Sequence, residues 1–344
     1  MNLLNLSFEE MEAFLGGLGE PRYRAGQVWQ WLWQKGCQSF SDMTNLSKEL
    51  RRKLEGSAEI SRPRIEAIQE SRDGTIKFLL GLSDGALVET VLIPEKDHLT
   101  QCLSCQVGCP MGCTFCATGQ MGLARNMVQS EILGQILVAG DYLKEQGQTK
   151  APKNLVFMGM GEPLLNLKEL TRSLAALNHN MGLNFSSRRI TVSTVGIIKG
   201  LEALGQSGLC MLAISLHAPT QDLRKQIMPM AAGTEPLDEL MACLDRYPLK
   251  PRQRITFEYL LLAGVNDTPG HAKALARLLA GKKAKVNLIP FHPSKGLPYK
   301  ASDPDAVLAF EKILWDKGLT AVLRKSKGLD IAAACGQLKA ALTA

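Results

Sequence analysis

The sequence predicts an α/β protein with a parallel sheet, preceded by a smaller region of helices and a β-meander. Apolar runs of strand length alternate with helical patterns from residue 128 onward, which is typical of a parallel sheet with crossover helices. Polar or glycine-rich tripeptides follow the C-terminal ends of several strands. They favour a barrel over a doubly wound sheet, because a barrel directs those ends toward one site.

The first 94 residues differ in pattern from the rest of the chain. Ser7 and Glu10 have the spacing of a capping box, and helical patterns extend to residue 54. Residues 64–94 read as a β-meander, with hairpin turns at the Asp-Gly dipeptides 73–74 and 84–85. We therefore expect an N-terminal accessory domain over residues 1–94.

The remaining elements follow from hydrophobic periodicity. The predicted strands are residues 154–160, 189–194, 210–217, 254–261, 285–291 and 320–324. The predicted helices are residues 128–145, 167–180, 197–204, 237–245, 269–279 and 303–315. We expect a core domain over residues 95–329 and a last helix over residues 330–344.

Composition sets broad limits on the class of protein. The chain has 344 residues, of which 45% are hydrophobic and 21% charged, as in ordinary folded proteins. Its net charge of +7 allows an anionic partner such as RNA without requiring one. We expect no membrane span and no secretory leader, since the first 20 residues contain four glutamates and no Lys or Arg. The expected location is the cytoplasm, where the nine cysteines are not a disulfide framework.

Five of the cysteines fall within fifteen residues, at positions 102, 105, 109, 113 and 116. Thiolates bind both zinc and iron–sulfur clusters. The two C-x2-C pairs, which begin at residues 102 and 113, are separated by seven residues, which is short for a zinc ribbon. The C-x3-C-x2-C spacing of Cys109, Cys113 and Cys116 suits a [4Fe–4S] cluster with one iron left open.

This cysteine loop resembles the cluster-binding loop of the radical S-adenosylmethionine (SAM) superfamily. Other motifs are similar to those of the RlmN/Cfr family of RNA adenosine methyltransferases: QVGC at 106–109, GMGEPLLN at 159–166, SLHA at 215–218, NLIP at 287–290 and CGQL at 335–338. The resemblance covers essentially the whole chain. It implies a partial (β/α)6 radical SAM barrel and a radical SAM methyltransferase.

The resemblance also implies the cofactor-binding residues. One [4Fe–4S] cluster per chain would be bound by Cys109, Cys113 and Cys116, and two SAM molecules would be used per turnover. The implied SAM contacts are Gly161, Glu162, Ser193, Ser215, Leu216, His217 and His292. His292 is a departure from the pattern, because family members carry Asn at the matching place.

Three further residues would perform a covalent relay. In the family, Cys335 is methylated by one SAM, and a second SAM supplies a radical that takes a hydrogen atom from that methyl group. The methylene radical then adds to the adenine ring. Glu89 would accept the ring proton, although its alternation with apolar residues alone predicts the solvent face of a strand. Cys102 would release the product by forming a disulfide with Cys335. Cys105 also precedes the loop, but it matches less well, and an odd spacing on a strand points it to the opposite face from Cys102.

The implied substrates are an adenosine of large-subunit ribosomal RNA and an adenosine next to the anticodon of tRNAs, methylated at carbon 2. The accessory domain would contact RNA, an electron donor such as flavodoxin or ferredoxin would reduce the cluster, and the protein would be a monomer. Two further functions stay open here. One is methylation at adenine C8, as in the Cfr branch, and the other is a non-catalytic RNA-binding or electron-carrier protein whose iron–sulfur or zinc centre takes its fourth ligand from Cys102 or Cys105.

Overall fold

The structure, a computed structural model, describes residues 1–293 and 296–340. It begins with three α-helices: α1 (Phe8–Gly17), α2 (Tyr23–Trp33) and α3 (Lys48–Ser57). Ser7 and Glu10 form the predicted capping box at the start of α1. Trp29 and Trp33 of α2 are buried, and Phe8 packs edge-on against Trp29. These aromatic side chains form the centre of the helical region.

The predicted meander is present as three antiparallel strands. These are β1 (Arg64–Glu70), β2 (Ile76–Gly81) and β3 (Leu87–Pro94). A short strand before the cysteine loop, β4 (Leu99–Cys102), pairs antiparallel with β3; the sequence placed Cys102 on a strand without giving its bounds, and the strand ends before Cys105. The sheet therefore continues across residue 94, and the domain division there stays a prediction.

Strands and helices alternate through the rest of the chain. The strands are β5 (Gln106–Cys109), β6 (Gly122–Asn126), β7 (Pro152–Phe157), β8 (Ile190–Thr194), β9 (Met211–Ser215), β10 (Ile255–Leu261), β11 (Ala284–Pro290) and β12 (Thr320–Leu323). The helices are α4 (Gln129–Glu145), α5 (Leu167–Asn178), α6 (Ile198–Ser207), α7 (Gln221–Ile227), α8 (Pro229–Thr234), α9 (Leu237–Asp245), α10 (Pro269–Leu278) and α11 (Pro304–Asp316). The short β5–β6 hairpin and the helices α7 and α8 were not predicted from the sequence.

The strands form a ten-stranded sheet in the order β1-β2-β3-β4-β7-β8-β9-β10-β11-β12. From β4 to β12 every neighbouring pair is parallel, which confirms the predicted α/β class. Side chains from β7, β8, β9, β10 and β11 line one common cavity, so this part of the sheet curves around it. Edge strands β1 and β12 do not pair with each other, and the barrel is partial, as expected.

The prediction of a last helix over residues 330–344 is wrong for the described part of that segment. The chain makes a single 3-10 turn at Leu329–Ile331 and then continues to residue 340 without α-helix. Ala332 and Gly336 have φ values of 49° and 82°, and these left-handed residues interrupt helical hydrogen bonding. Residues 341–344 lie outside the described residues.

None of the helices in the described ranges combines the length and the apolar character needed to cross a membrane.

Candidate active site

A cavity at the C-terminal ends of the parallel strands brings most of the predicted site residues together. Its volume is about 850 Å³ including its open mouth, within the range of cofactor pockets. Predicted residues in its wall are Cys109, Cys113, Cys116, Gly161, Glu162, Ser193, Ser215, His217 and Cys335. The strand ends thus meet at one site, as the sequence predicts.

The three cysteines of the loop are half-buried and face this cavity. Burial raises the pKa of the Cys109 thiol to about 12. Burial also raises the pKa of the Cys113 thiol, and the neighbouring Cys116 and Cys109 thiols add to the rise. A cationic centre between these sulfurs would stabilise their thiolate forms and so counteract the raised pKa values. This fits a bound iron–sulfur cluster.

Single-metal binding receives no support from the same residues. In the described ranges, no group of three His, Cys, Asp or Glu side chains could hold one metal ion. A structural zinc site gathers four ligands around one ion. A [4Fe–4S] cluster distributes its thiolates over different irons, so the cysteine loop fits the cluster better than it fits zinc.

The loop after β7 comes very close to the segment that precedes the cysteines. A Cβ atom on Gly161 would lie 2.6 Å from the Gln106 Cβ and 2.9 Å from its backbone nitrogen, and Gly161 has φ +105°. The Glu162 N–H donates to Gln106 Oε1 at 2.7 Å. Glycine is therefore required at 161 to bring Glu162 against this segment.

The carboxylate of Glu162 is almost fully engaged by the protein. Oε1 accepts from Thr194 Oγ1 at 2.6 Å and from the Leu164 N–H at 3.0 Å, and Oε2 accepts from the Val195 N–H at 2.9 Å. Burial raises the pKa of Glu162, and these hydrogen bonds oppose the rise. A carboxylate has about four acceptor positions, so about one remains for a ligand in the cavity.

Strands β8 and β9 supply the next predicted contacts. Ser193 Oγ and Ser215 Oγ lie 3.3 Å apart, and both residues line the cavity. Leu216 does not line it, because its side chain is fully buried in the main hydrophobic core.

His217 lines the cavity with a neutral ring. Its Nδ1 accepts a hydrogen bond from the Leu260 N–H at 3.0 Å, so the proton of the neutral imidazole is on Nε2. Burial lowers the pKa of His217 to about 3, with a smaller contribution from Arg224. The ring can therefore offer one N–H donor at neutral pH.

His292 lies in a second, smaller cavity rather than in the first. This cavity shares Ile289 and Cys335 with the main one. His292 Nε2 pairs with Ser326 Oγ at 2.7 Å, and burial lowers the pKa of the ring. The ring is thus adjacent to the predicted SAM site without lining it.

Cys335 is exposed as a whole residue, while its thiol is desolvated, and the residue lines both cavities. The segment around it is bound to the cysteine loop, since the Ala117 N–H donates to Gly336 O at 2.7 Å and Thr118 Oγ1 donates to Leu338 O at 2.6 Å. Desolvation raises the pKa of the Cys335 thiol, and Arg324 opposes the rise. Hydrogen bonds from the cysteine loop therefore hold this thiol beside the cluster site.

Glu89 is buried at 4% exposure, so the solvent-face position that alternation alone predicts is wrong. Its Oε1 lies 3.1 Å from Lys77 Nζ. Its Oε2 accepts from the Lys339 N–H at 2.8 Å and the Ala340 N–H at 3.1 Å. The segment that carries Cys335 covers this face of the sheet, which explains the burial.

Cys102 and Cys105 have different surroundings. Burial raises the pKa of Cys102 to about 12, and the Cys335 thiol adds to the rise. Burial also raises the pKa of Cys105, but the neighbours that add to this rise are Glu162 and Cys109, and its thiol donates to Met160 O at 3.7 Å. Strand β4 ends at Cys102, so the turn after it, rather than strand alternation, separates the two thiols.

Sequence reasoning missed Glu258, a buried residue of β10 that also lines the cavity. Its Oε1 accepts from Asn287 Nδ2 at 2.9 Å, while its Oε2 has no hydrogen-bond partner among the described residues. The signal was available, because Glu258 is the single charge in the apolar run ITFEYLL.

Replacing Gly161 with Ala should destabilise the protein by about 2–5 kcal/mol, because it combines a disfavoured left-handed backbone with overpacking against Gln106. The free energy of unfolding from denaturant titration measures this. Gly140→Ala is the matched control, since Gly140 lies within α4 and a Cβ atom there would meet no other atom within 4 Å. The control should stabilise the protein by up to about 1 kcal/mol. Equal stability of the two variants would contradict the close approach at Gly161.

Comparison with known proteins shows the family to which the chain belongs. Residues 1–60 match the family model of the ribosomal RNA large subunit methyltransferase N-terminal domain, and residues 103–275 match that of the radical SAM superfamily. Proteins named dual-specificity RNA methyltransferase RlmN are similar along their length. The protein from Solidesulfovibrio magneticus is 62% identical, with 98% of this chain and 96% of the relative covered. The protein from Geobacter sulfurreducens is 48% identical, with 100% and 93% covered.

A solved structure shows the same fold. The crystal structure of a radical SAM methyltransferase from Sphaerobacter thermophilus has a TM-score of 0.93 and 41% identity, and the match covers 99% of this chain and 100% of that one. The fold, the cysteine loop and the similarity along the chain agree. This chain belongs to the RlmN family of radical SAM methyltransferases.

Proposed function

We propose that this protein methylates carbon 2 of an adenosine in large-subunit ribosomal RNA and of an adenosine next to the anticodon in tRNAs. The observation that carries the proposal is the position of Cys335. This residue lines the cavity that also holds the three loop cysteines. The relatives named dual-specificity RNA methyltransferase support RNA as the substrate.

A thiol in this position addresses a chemical difficulty. Carbon 2 of adenine is not nucleophilic, so it cannot take a methyl group directly from SAM. When bound, SAM and the [4Fe–4S] cluster supply the methyl group and, with an electron from an external donor, a hydrogen-abstracting radical. We assign cluster binding to Cys109, Cys113 and Cys116.

The chain's own residues then hold the SAM and the carbon that is transferred. Gly161, Glu162, Ser193, Ser215 and His217 orient SAM beside the loop cysteines. The backbone of Leu216 belongs to the same strand end, and His292 acts from the adjacent cavity.

Cys335 carries the carbon and Cys102 releases it. Cys335 loses its thiol proton and forms a sulfur–carbon bond to the methyl group, which later links it to the adenine. Glu89 accepts the ring proton from this adduct, and the unpaired electron of the adduct would return to the bound cluster. Cys102, once it has lost its thiol proton, attacks the Cys335 sulfur. The sulfur–carbon bond breaks with its electron pair on the carbon, which takes up a proton to complete the methyl group, and the disulfide that forms is reduced by an external dithiol.

A non-catalytic role and the C8 reaction both have less support. A closed, non-catalytic centre needs Cys102 or Cys105 as its fourth ligand, and neither residue lines the cavity. The C8 reaction is not favoured, because the similar relatives carry the RlmN name. We propose a monomer that works in the cytoplasm with a flavodoxin- or ferredoxin-type donor and contacts RNA through residues 1–94.

A deletion strain tests the substrate assignment. Mass spectrometry of its ribosomal RNA and tRNA should show loss of 2-methyladenosine from both, restored by the normal gene but not by Cys335→Ala. Unchanged 2-methyladenosine in both RNAs would reject the proposal. Loss of 8-methyladenosine instead would assign the C8 reaction, and loss from ribosomal RNA alone would remove the tRNA part.

A further inference from the structure

Lys77 is a buried lysine that the relay described above does not use. It is 8% exposed, and its Nζ lies 3.1 Å from Glu89 Oε1. The same Nζ donates to Ala332 O at 3.4 Å. A single ammonium group therefore touches both the assigned proton acceptor and the segment that carries Cys335.

Strand register explains how this contact arises. Lys77 pairs with Val91, Val91 pairs with Cys102, and Leu79 pairs with Glu89. Directly opposed residues and residues two apart share a face of a sheet. Lys77, Glu89 and Cys102 therefore lie on one face across β2, β3 and β4, and Lys77 is a diagonal neighbour of Glu89.

The Cys335 segment, residues 332–340, lies over this face, and hydrogen bonds attach it on both sides of Cys335. Lys77 binds it at Ala332, three residues before Cys335. Glu89 binds it at Lys339 and Ala340, four and five residues after Cys335. Lys77 and Glu89 act together as a clamp, because their ion pair joins the two attachment points.

We propose that Lys77 is a positioning residue for the reaction on RNA. It holds the Glu89 carboxylate and the Cys335 segment in one arrangement, so that the carboxylate is in place for the adduct that forms on Cys335. This inference rests on the proposed roles of Glu89 and Cys335. Removing the ammonium leaves a buried carboxylate without its counter-charge and frees one side of the segment.

The test compares Lys77→Met with Lys77→Arg in the reconstituted protein. We expect Lys77→Met to keep the cluster and to form methyl-Cys335, since the cysteine loop still binds the segment. Its product formation should fall by about 10–100-fold, the loss found when residues that orient metal ligands are replaced, while the covalent protein–RNA adduct accumulates. Lys77→Arg should recover most of the product. Lys144→Met is the control, because it removes a surface lysine paired with Asp141 and should change nothing.

Three results would overturn the proposal. The first is normal turnover by Lys77→Met. The second is an equal loss of methyl-Cys335, adduct and product in that variant. The third is no recovery of product in Lys77→Arg. Normal turnover by Glu89→Gln would instead reject the proposed role of Glu89.

A second measurement does not depend on activity. Lys77→Met should lower the melting temperature, and the double variant Lys77→Met/Glu89→Gln should recover much of the loss, because no buried charge is then unpaired. Additive losses in the double variant would contradict the ion pair as the basis of the clamp.

Discussion

Replacing Cys109, Cys113 or Cys116 with alanine should reduce bound iron to background and abolish turnover. Each thiol lies in the wall of the same cavity, where burial disfavours an uncompensated thiolate. The positive charge of the bound irons offsets the cost of burying thiolates. When one of the three ligands is removed the cluster is not held, and the remaining two thiols return to their protonated form. Iron analysis and the visible absorption of anaerobically reconstituted protein measure the effect.

The control for this prediction is Cys243→Ala. Cys243 is a buried cysteine of α9 that belongs to the main hydrophobic core and to no motif. This variant should hold about four irons, as the normal protein should. Stoichiometric zinc without iron absorption in the normal protein, or normal iron in a loop variant, would contradict the assignment of the cluster.

The sequence predicted the barrel and the cysteine loop because their signals are local. Apolar runs gave strand limits close to those observed, such as residues 254–261 for Ile255–Leu261. The capping box at Ser7 and Glu10 is formed within four residues, and it is present as predicted. The glycine and cysteine motifs are likewise contained in single loops, so no distant contact was needed to find them.

The C-terminal segment could not be predicted in this way, because distant contacts determine it. Its residues, LDIAAACGQLKAAL, have helical propensity. In the structure these residues form hydrogen bonds to distant partners instead. Asp330 accepts from Ser71 at 2.5 Å, Leu338 O accepts from Thr118, and the Lys339 N–H donates to Glu89. These partners lie more than 200 residues away in the chain, and they take the place of local helical hydrogen bonds.

The burial of Glu89 has the same origin. Alternation within β3 distinguishes two faces of a strand, and it cannot show that the Cys335 segment covers one of them. Lys77 was missed for this reason as well. In the strand pattern both residues appear only as charges within apolar strands, IKFLLG and LVETVLIP, and the role of Glu89 was predicted from the family resemblance alone.

Cys102→Ala should trap a covalent complex between the protein and RNA through Cys335. Cys102 lies on the face of the sheet that the Cys335 segment covers, and the Cys335 thiol contributes to its raised pKa. Without this thiol, the proposed attack of Cys102 on the Cys335 sulfur cannot occur, so the bond to the adenine should persist. A shifted band on a denaturing gel after anaerobic reaction with RNA measures the complex.

Cys105→Ala is the matched control for this step. Cys105 is also buried, but its thiol donates to Met160 O, and its titratable neighbours are Glu162 and Cys109 rather than Cys335. It should turn over nearly normally and leave no trapped band. A band with Cys105→Ala and none with Cys102→Ala would reverse the assignment. If neither variant gives a band while peptide mass shows methyl-Cys335, the disulfide step is rejected, because the adduct is then released without a second thiol.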